Sequence, residues 1–366
     1  MSLVLGIETT CDETAAAVVR DGRTVLSSVV GSQAALHEPY GGVVPEIAAR
    51  AHIETLNGLV EKAMRQAGAA PADLTAIAAP NRPGLIGCLL VGVSAAKAFA
   101  FAWERPLICV NHVEAHLYSA CLRSASACAE MAGPPLPALG LVISGGHTSL
   151  YRVHDFVHIE CLGATIDDAA GEAFDKVAAI LGLGYPGGPQ VDRLAGDGNP
   201  HAVKFPISLL GRDSLNFSFS GLKTAVLYQV QGGAAPAARR GAASANAGHA
   251  PRPPGCGARR GDPPIPPRSA DIAASFQYAV VEALRIKLCR AAKRHPARSV
   301  IIGGGVSANR QVRAMMEALG GELGLPVYLP AAEFCTDNAA MIAGLAAELH
   351  RHGVTHTLDT PVIATI

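Results

Sequence analysis

Residues 3–30 read LVLGIETTCDETAAAVVRDGRTVLSSVV, and this stretch decides the fold. Three apolar runs are separated by two polar turns, the second with the dipeptide Asp21-Gly22, which predicts three consecutive β-strands. Residues 138–164, ALGLVISGGHTSLYRVHDFVHIECLGA, repeat the pattern. A meander that occurs twice indicates two similar halves across a cleft, with Glu8 to Glu13 and Ser144 to His147 pointing into it. The alternative is two unrelated meanders.

Patterns typical of helices fill much of the remaining chain. Residues 37–68 have apolar positions at three- and four-residue steps, which predict a loop followed by a long amphipathic helix. Further helices are predicted to begin near Leu85 to Gly87, to run from about Ala169 to Leu181, and to have Ser220, Ser269 and Thr336 as N-caps. Strands that alternate with helices indicate the α/β class.

Composition limits the classes of protein that fit. The 366 residues are 49% hydrophobic and carry a formal net charge of zero, so any contact with RNA must come from a local patch or a partner. No apolar run approaches the roughly 20 residues of a membrane span. Nine cysteines without CxxC spacing, and no signal peptide, predict reduced thiols in a cytoplasmic protein.

A pair of histidines forms the first candidate site, in ICVNHVEAHLYSA, residues 108–120. Asn111 is predicted to cap a helix in which His112 and His116, four residues apart, share a face and can reach one metal ion. Val113 stands where zinc peptidases of the HExxH type have their general base. Asp337, predicted in the first turn of the last helix, can supply a third ligand. The alternative is two partly exposed helix histidines.

Glycine-rich turns form a second kind of candidate site. Gly303 to Gly305, followed by Ser307 and Asn309 at a helix start, predict a seat for a nucleotide phosphate or sugar. Gly187 and Gly188 allow a ligand to approach the backbone closely. The GxxxxGK[ST] pattern of a Walker loop is absent from the sequence.

Asp175 lies in an otherwise apolar helix, beside Lys176. Two interpretations of this carboxylate stay open at the level of sequence. It faces a ligand, or it forms an ion pair with Lys176 or Arg193 on a solvated face.

Residues 232–268 are rich in Ala, Gly, Pro and Arg, with a single acidic residue. Low hydrophobicity and charge of one sign predict a disordered insert. Its arginines could contact RNA, and the alternative is a solvated linker.

Seven motifs follow one another along the chain: NHVEAH, VISGGHTSL, DDAAGEAFDKVA, YPGGPQVD, FSFSGLKTA, GGGVSANR and FCTDNAAMIA. Taken together and in this order, they resemble the TsaD family (formerly Gcp), enzymes that complete the threonylcarbamoylation of adenosine 37 in tRNAs reading ANN codons. The resemblance extends from Leu3 to about Leu349, apart from the insert.

The resemblance implies an ASKHA (actin- and hexokinase-like) α/β fold of two duplicated lobes around a central cleft. The expected lobes are residues 1–135, onto which the final helix can pack back, and residues 136–366, which contain the insert. It also implies one divalent metal ion per subunit, Fe²⁺ or alternatively Zn²⁺, held by His112, His116 and Asp337.

The resemblance further implies the substrates. The donor, threonylcarbamoyl-AMP, would lie along Ile143, Ser144, Gly145, Gly146, His147, Asp175, Gly188, Asp192 and Asn309. Asp12 or Glu13 could act as general base or orient the incoming amine of the tRNA adenosine, and the alternative is that they only close their turn. A complex with a smaller ASKHA paralogue and a P-loop ATPase is implied as well.

The sequence departs from the family at two places. Arg82 replaces the first glycine of the family's GPGL turn, which puts the local turn and a partner contact in doubt, and the Arg-rich insert is extra. Two other functions compete with the transferase, a metal-dependent peptidase and an ASKHA protein that binds nucleotide without group transfer. The missing HExxH motif counts against the first, and the paired histidines count against the second.

Overall fold

The computed structural model describes residues 1–126, 133–231 and 267–365. Their strands form two sheets. The first contains β1 (Leu3–Glu8), β2 (Glu13–Arg20), β3 (Thr24–Ser32), β4 (Ala76–Arg82), β5 (Leu107–Asn111) and β6 (Arg123–Ser124) in the order β5-β4-β1-β2-β3-β6. The second contains β7 (Ala138–Ile143), β8 (Thr148–Val153), β9 (Ile159–Ala164), β10 (Ser299–Gly303) and β11 (Val327–Tyr328) in the order β11-β10-β7-β8-β9.

The two sheets share one plan. In each, three consecutive strands pair antiparallel as a meander, and the next strand pairs parallel to the first strand of that meander. The predicted duplication is therefore confirmed. Because β1, β4 and β5 run parallel, Glu8, Arg82 and Asn111 lie at one edge of the first sheet. Ile143 and Gly303 likewise lie at one edge of the second.

Helices cover these sheets. They are α1 (Ala34–His37), α2 (Pro45–Ala67), α3 (Ile86–Ala102), α4 (His112–Tyr118), α5 (Ala170–Ile180), α6 (Gly187–Ala195), α7 (Ser220–Val230), α8 (Pro267–Arg294), α9 (Arg310–Leu323) and α10 (Ala339–Arg351). None of the helices in the described ranges is long and apolar enough to cross a membrane.

Three predicted helix starts are wrong by one to three residues. Phe219, rather than Ser220, occupies the N-cap position of α7, and α8 begins before Ser269. Asn338, rather than Thr336, caps α10, because its side chain accepts the Met341 N–H at 3.0 Å. The insert predicted at residues 232–268 lies outside the described residues, apart from the two that begin α8.

The core consists of three clusters of buried side chains. One lies between the first sheet and helices α2 and α3, and another joins the second sheet to α5–α9. The third lies between the sheets and includes residues of α4 and α10. The last helix therefore packs back onto the first sheet, so closely that a methyl group at Gly6 of β1 would lie 2.3 Å from the Ala339 carbonyl oxygen.

Candidate active site

The helix α4 carries both histidines of the predicted metal pair. It begins directly after β5 because the Asn111 side chain accepts the backbone N–H groups of Val113 at 2.9 Å and Glu114 at 3.4 Å. The rings of His112 and His116 share a face, with centroids 4.7 Å apart. Both residues are buried, at 5% and 0% exposure, so the alternative of partly exposed helix histidines is wrong.

Asp337, which is distant from the two histidines in the sequence, lies beside their rings. It lies just before the N-cap of α10 rather than in the first turn, which corrects the predicted position. Its Oδ1 atom is 3.1 Å from His116 Nε2 and 3.6 Å from His112 Nε2. One ligand atom from each of the three residues can be chosen so that all lie within 4.8 Å of one another.

Charge links these groups to His147. Burial alone would raise the pKa of Asp337, but the imidazoles of His112 and His116 hold it well below its usual range. Burial would lower the pKa of His112, yet Glu8 and Asp337 outweigh it and raise that pKa to about 9. Burial, assisted by the two other imidazoles, lowers the pKa of His147 to about 4. His147 is thus neutral at pH 7 and can offer a lone pair or a single N–H.

The three residues fit a metal ion. Both ring nitrogens of His116 are buried and lack a hydrogen-bond partner of acceptable geometry within the described part of the chain, although Asp337 Oδ1 lies close to Nε2. A buried nitrogen without a partner is costly unless something else occupies its lone pair. Two imidazoles and a carboxylate are ligands typical of first-row transition metals. This group could therefore hold a metal.

The turn between β7 and β8 contains the predicted Ser144 to His147 segment. The Ser144 N–H donates to the His147 carbonyl at 2.7 Å, and the His147 N–H donates to Ser144 Oγ at 3.2 Å. Gly145 and Gly146, in the middle of the turn, are exposed and have open space where a side chain would be. Their backbone is accessible to a ligand. Ile143, directly before the turn, is buried at the strand end.

Asp175 joins two helices beside this turn. Its Oδ1 atom accepts the N–H of Gly187 at 2.8 Å and of Gly188 at 3.3 Å, at the start of α6. Neither predicted ion pair forms, since Lys176 pairs with Asp168 and Glu172 instead. Burial raises the pKa of Asp175, the two backbone N–H groups oppose that rise, and the charge of Asp12 adds to it.

Asp192 and Asn309 are brought together by a residue that the sequence analysis missed. Gln277 of α8, only 1% exposed, donates to Asp192 Oδ1 at 3.3 Å and accepts from Asn309 Nδ2 at 2.8 Å. Arg310 donates to Asp192 Oδ2 at 3.0 Å. Asn309 Oδ1 caps α9 as predicted. A single glutamine in a long helix has no local pattern that marks it as part of a site.

Asp12 and Glu13 lie where β1 turns into β2. Burial, together with the charges of Asp337 and Asp12, raises the pKa of Glu13 to about 9, so this side chain is protonated at pH 7. Buried His52 stabilises this turn, because its Nε2 atom contacts the Cys11 carbonyl oxygen at 3.0 Å.

Arg82 ends β4 beside Asn111. The turn that follows it is formed, since the Leu85 N–H donates to the Thr10 carbonyl at 3.0 Å and α3 begins at the next residue. Burial raises the pKa of Glu114, an effect that the Arg82 charge opposes. The large side chain at position 82 is therefore compatible with the local turn.

Two solved structures share the fold of this chain. Over 96% of the chain, the fold matches HypF from T. kodakarensis with a TM-score of 0.59 at 15% identity, covering 48% of that protein. It also matches a full-length HypF in its phosphate- and nucleotide-bound form with a TM-score of 0.56 at 14% identity, over 96% of this chain and 46% of that one. Such identities show the fold alone. The chain is an ASKHA-type α/β protein with a group in its cleft that could hold a metal.

Sequence comparison gives the family. Residues 24–344 match the model of TsaD, tRNA N6-adenosine threonylcarbamoyltransferase. Proteins of that name from Thermomicrobium roseum and Anaeromyxobacter dehalogenans are each 47% identical, over 99% and 94% of this chain and over 96% and 92% of their own lengths. The chain belongs to the TsaD family and is a transferase. Family membership decides against the peptidase and against nucleotide binding without group transfer.

Proposed function

We propose that this chain transfers the threonylcarbamoyl group from threonylcarbamoyl-AMP to N6 of adenosine 37 in tRNAs reading ANN codons. The observation that carries the proposal is the buried group of His112, His116 and Asp337 in the cleft of an ASKHA fold. It lies close enough to the Ser144 to His147 turn for both imidazoles to act on the His147 pKa. A candidate metal site beside an open glycine backbone supports the proposal.

The reaction forms a bond between N6 and the carbamoyl carbon and breaks the bond from that carbon to the AMP phosphate oxygen. N6 loses a proton, and AMP leaves with the electron pair of the broken bond. When bound, Fe²⁺ or alternatively Zn²⁺ would supply a Lewis acid that polarises the carbonyl. The mixed nitrogen and oxygen ligands favour these ions over calcium.

Residues from several parts of the chain would bind the donor. The backbone around Gly145 and Gly146 is free to hold the donor phosphate, with Ile143, Ser144 and His147 shaping that turn. Gly188, held by Asp175, brings a second stretch of backbone toward the donor. Asp192 and Asn309, joined through Gln277, would bind the nucleoside part.

The proton released by N6 needs an acceptor in the cleft. We assign this role to the Asp12 carboxylate, whose charge raises the pKa of Asp175. Glu13, protonated at pH 7, would instead donate a hydrogen bond.

The arrangement of lobes and partners completes the proposal. The lobes would be residues 1–135 with α10 added and residues 136–366, as the two sheets and the packing of α10 suggest. The formal net charge of zero favours help from partners in tRNA binding, namely a smaller ASKHA paralogue and a P-loop ATPase. The site of action would be the cytoplasm, where tRNA is found.

Replacing Gln277 by leucine is expected to raise the KM for threonylcarbamoyl-AMP about tenfold and to change kcat less. The substitution removes two hydrogen bonds and leaves Asp192 and Asn309 without their common partner, a loss of about 1–3 kcal/mol. Steady-state kinetics with varied donor measure the effect. Gln66→Leu, at an exposed position of α2, is the matched control. An unchanged KM in Gln277→Leu would show that Gln277 has no part in donor binding.

The acceptor is tested with labelled threonine. The donor is made from radioactive threonine and incubated with the protein, its partners and either an ANN-reading tRNA or the same tRNA with guanosine at position 37. We expect label in the first tRNA and none in the second. Equal labelling of both would contradict the assignment of adenosine 37.

A further inference from the structure

Glu8, the last residue of β1, is a buried carboxylate without a role in the function described so far. It has 0% exposure, and its Oε2 atom lies 2.9 Å from His112 Nδ1. Its Oε1 atom accepts the Thr10 N–H at 2.6 Å. Both oxygens therefore have a defined partner, and one of those partners is the ring of a candidate metal ligand.

The contact between Glu8 and Nδ1 determines where the lone pair of the neutral His112 ring lies. A carboxylate only accepts hydrogen bonds, so Nδ1 must carry the hydrogen of this bond. In the neutral imidazole the lone pair then belongs to Nε2, the atom 3.6 Å from Asp337 Oδ1. The hydrogen bond also fixes the rotation of the ring. Carboxylates in this position orient metal-binding histidines and increase their basicity.

His116 offers an internal comparison. Its Nδ1 atom has no hydrogen-bond partner within the described part of the chain, and the carboxylate of Asp337 contacts the ring on its other side, 3.1 Å from Nε2. The ring is also positioned by the packing of α4. Of the two histidines, His112 alone has a carboxylate on the Nδ1 side of its ring among the described residues.

We propose that Glu8 is a positioning residue for the metal centre, which acts through His112 by selecting the tautomer with a free Nε2 and by holding the ring toward Asp337. The proposal rests on the metal role of His112 in the proposed function. Glu8, at the end of β1, would thus have a role separate from the roles of Asp12 and Glu13 in the next turn.

The test is the affinity of the protein for Zn²⁺, measured by competition with a chelator of known affinity, and it needs no transfer activity. Glu8→Gln keeps the size of the side chain but loses the charge, and we expect about 10- to 100-fold weaker binding. Glu8→Asp keeps the charge but is one methylene too short, and we expect weaker binding here too. Thr9→Val is the control, because the described hydrogen bond of the Thr9 hydroxyl goes to the Cys88 carbonyl and not to His112.

A double variant separates positioning from a general structural role. If Glu8 acts through His112, adding Glu8→Gln to His112→Ala should weaken the remaining Zn²⁺ affinity no further. Thermal unfolding of the metal-free variants checks that each one folds. Wild-type affinity in both Glu8→Gln and Glu8→Asp, or equal losses with and without His112, would overturn the proposal. If the wild-type protein itself binds no ion, the metal centre fails and the role of Glu8 fails with it.

Discussion

Replacing His116 by alanine is expected to abolish threonylcarbamoyl transfer and metal binding together while the fold stays intact. The ring is fully buried, and neither nitrogen has a hydrogen-bond partner in the described ranges, so its polar atoms are available to an ion. Loss of an outer hydrogen-bond partner alone lowers affinity or activity 10- to 100-fold, so loss of a ligand should cost more than about a hundredfold. His112→Ala should behave in the same way.

Three measurements check this expectation. Metal content after gel filtration reports the centre, incorporation of labelled threonine into tRNA reports transfer, and circular dichroism on heating reports the fold. His158→Ala is the matched control, because His158 is exposed and its side chain contacts only Asp155 in the hydrogen bonds that the structure describes. Transfer retained in both His112→Ala and His116→Ala would refute the metal assignment.

Replacing Gly303 by alanine should damage both stability and the metal centre. A methyl group at this position, the end of β10, would lie 2.1 Å from the His116 carbonyl oxygen and 3.2 Å from the Leu117 nitrogen. The backbone of α4 packs directly against this glycine. An added methyl group would therefore displace the helix and its two histidines. Overpacking of this kind costs about 1–3 kcal/mol or more in the free energy of unfolding.

Unfolding in denaturant and the affinity for Zn²⁺, both measured on Gly303→Ala, test this expectation. Gly321→Ala is the control, since Gly321 lies within α9 and has no atom within 4 Å of the added methyl group. Alanine in a helix should leave that variant as stable as the wild type or more so by about 0.5–1 kcal/mol. If the two variants have the same stability and the same affinity, α4 does not depend on Gly303.

The sequence predicted the duplicated strands because their signals are local. The first of the apolar runs in residues 3–30 forms β1, Leu3–Glu8, and both meanders follow from apolar runs separated by turn residues. Asn111 capped α4 as predicted for the same reason, since the cap and the helix are neighbours in the chain. Thr336 and Asn338 are both residues that cap helices well, and only the contact to Met341 decided between them.

The parts that were missed depend on packing between distant segments. The burial of His112 and His116 results from β10 and α10, which come more than 180 residues later. Gln277 joins Asp192 and Asn309 across 85 and 32 residues of chain. Asp175 looked like one half of an ion pair because Lys176 is adjacent, yet α6 brings two backbone N–H groups to it.

Mass spectrometry of nucleosides is the most direct test of the central claim. An ANN-reading tRNA that lacks the modification is incubated with this protein, the paralogue and ATPase partners, and threonylcarbamoyl-AMP, and is then digested. We predict threonylcarbamoyladenosine in the digest when the protein is present and none when it is omitted. If no modified adenosine forms, although the same partners support the relative from Thermomicrobium roseum, the chain does not catalyse the transfer proposed for it.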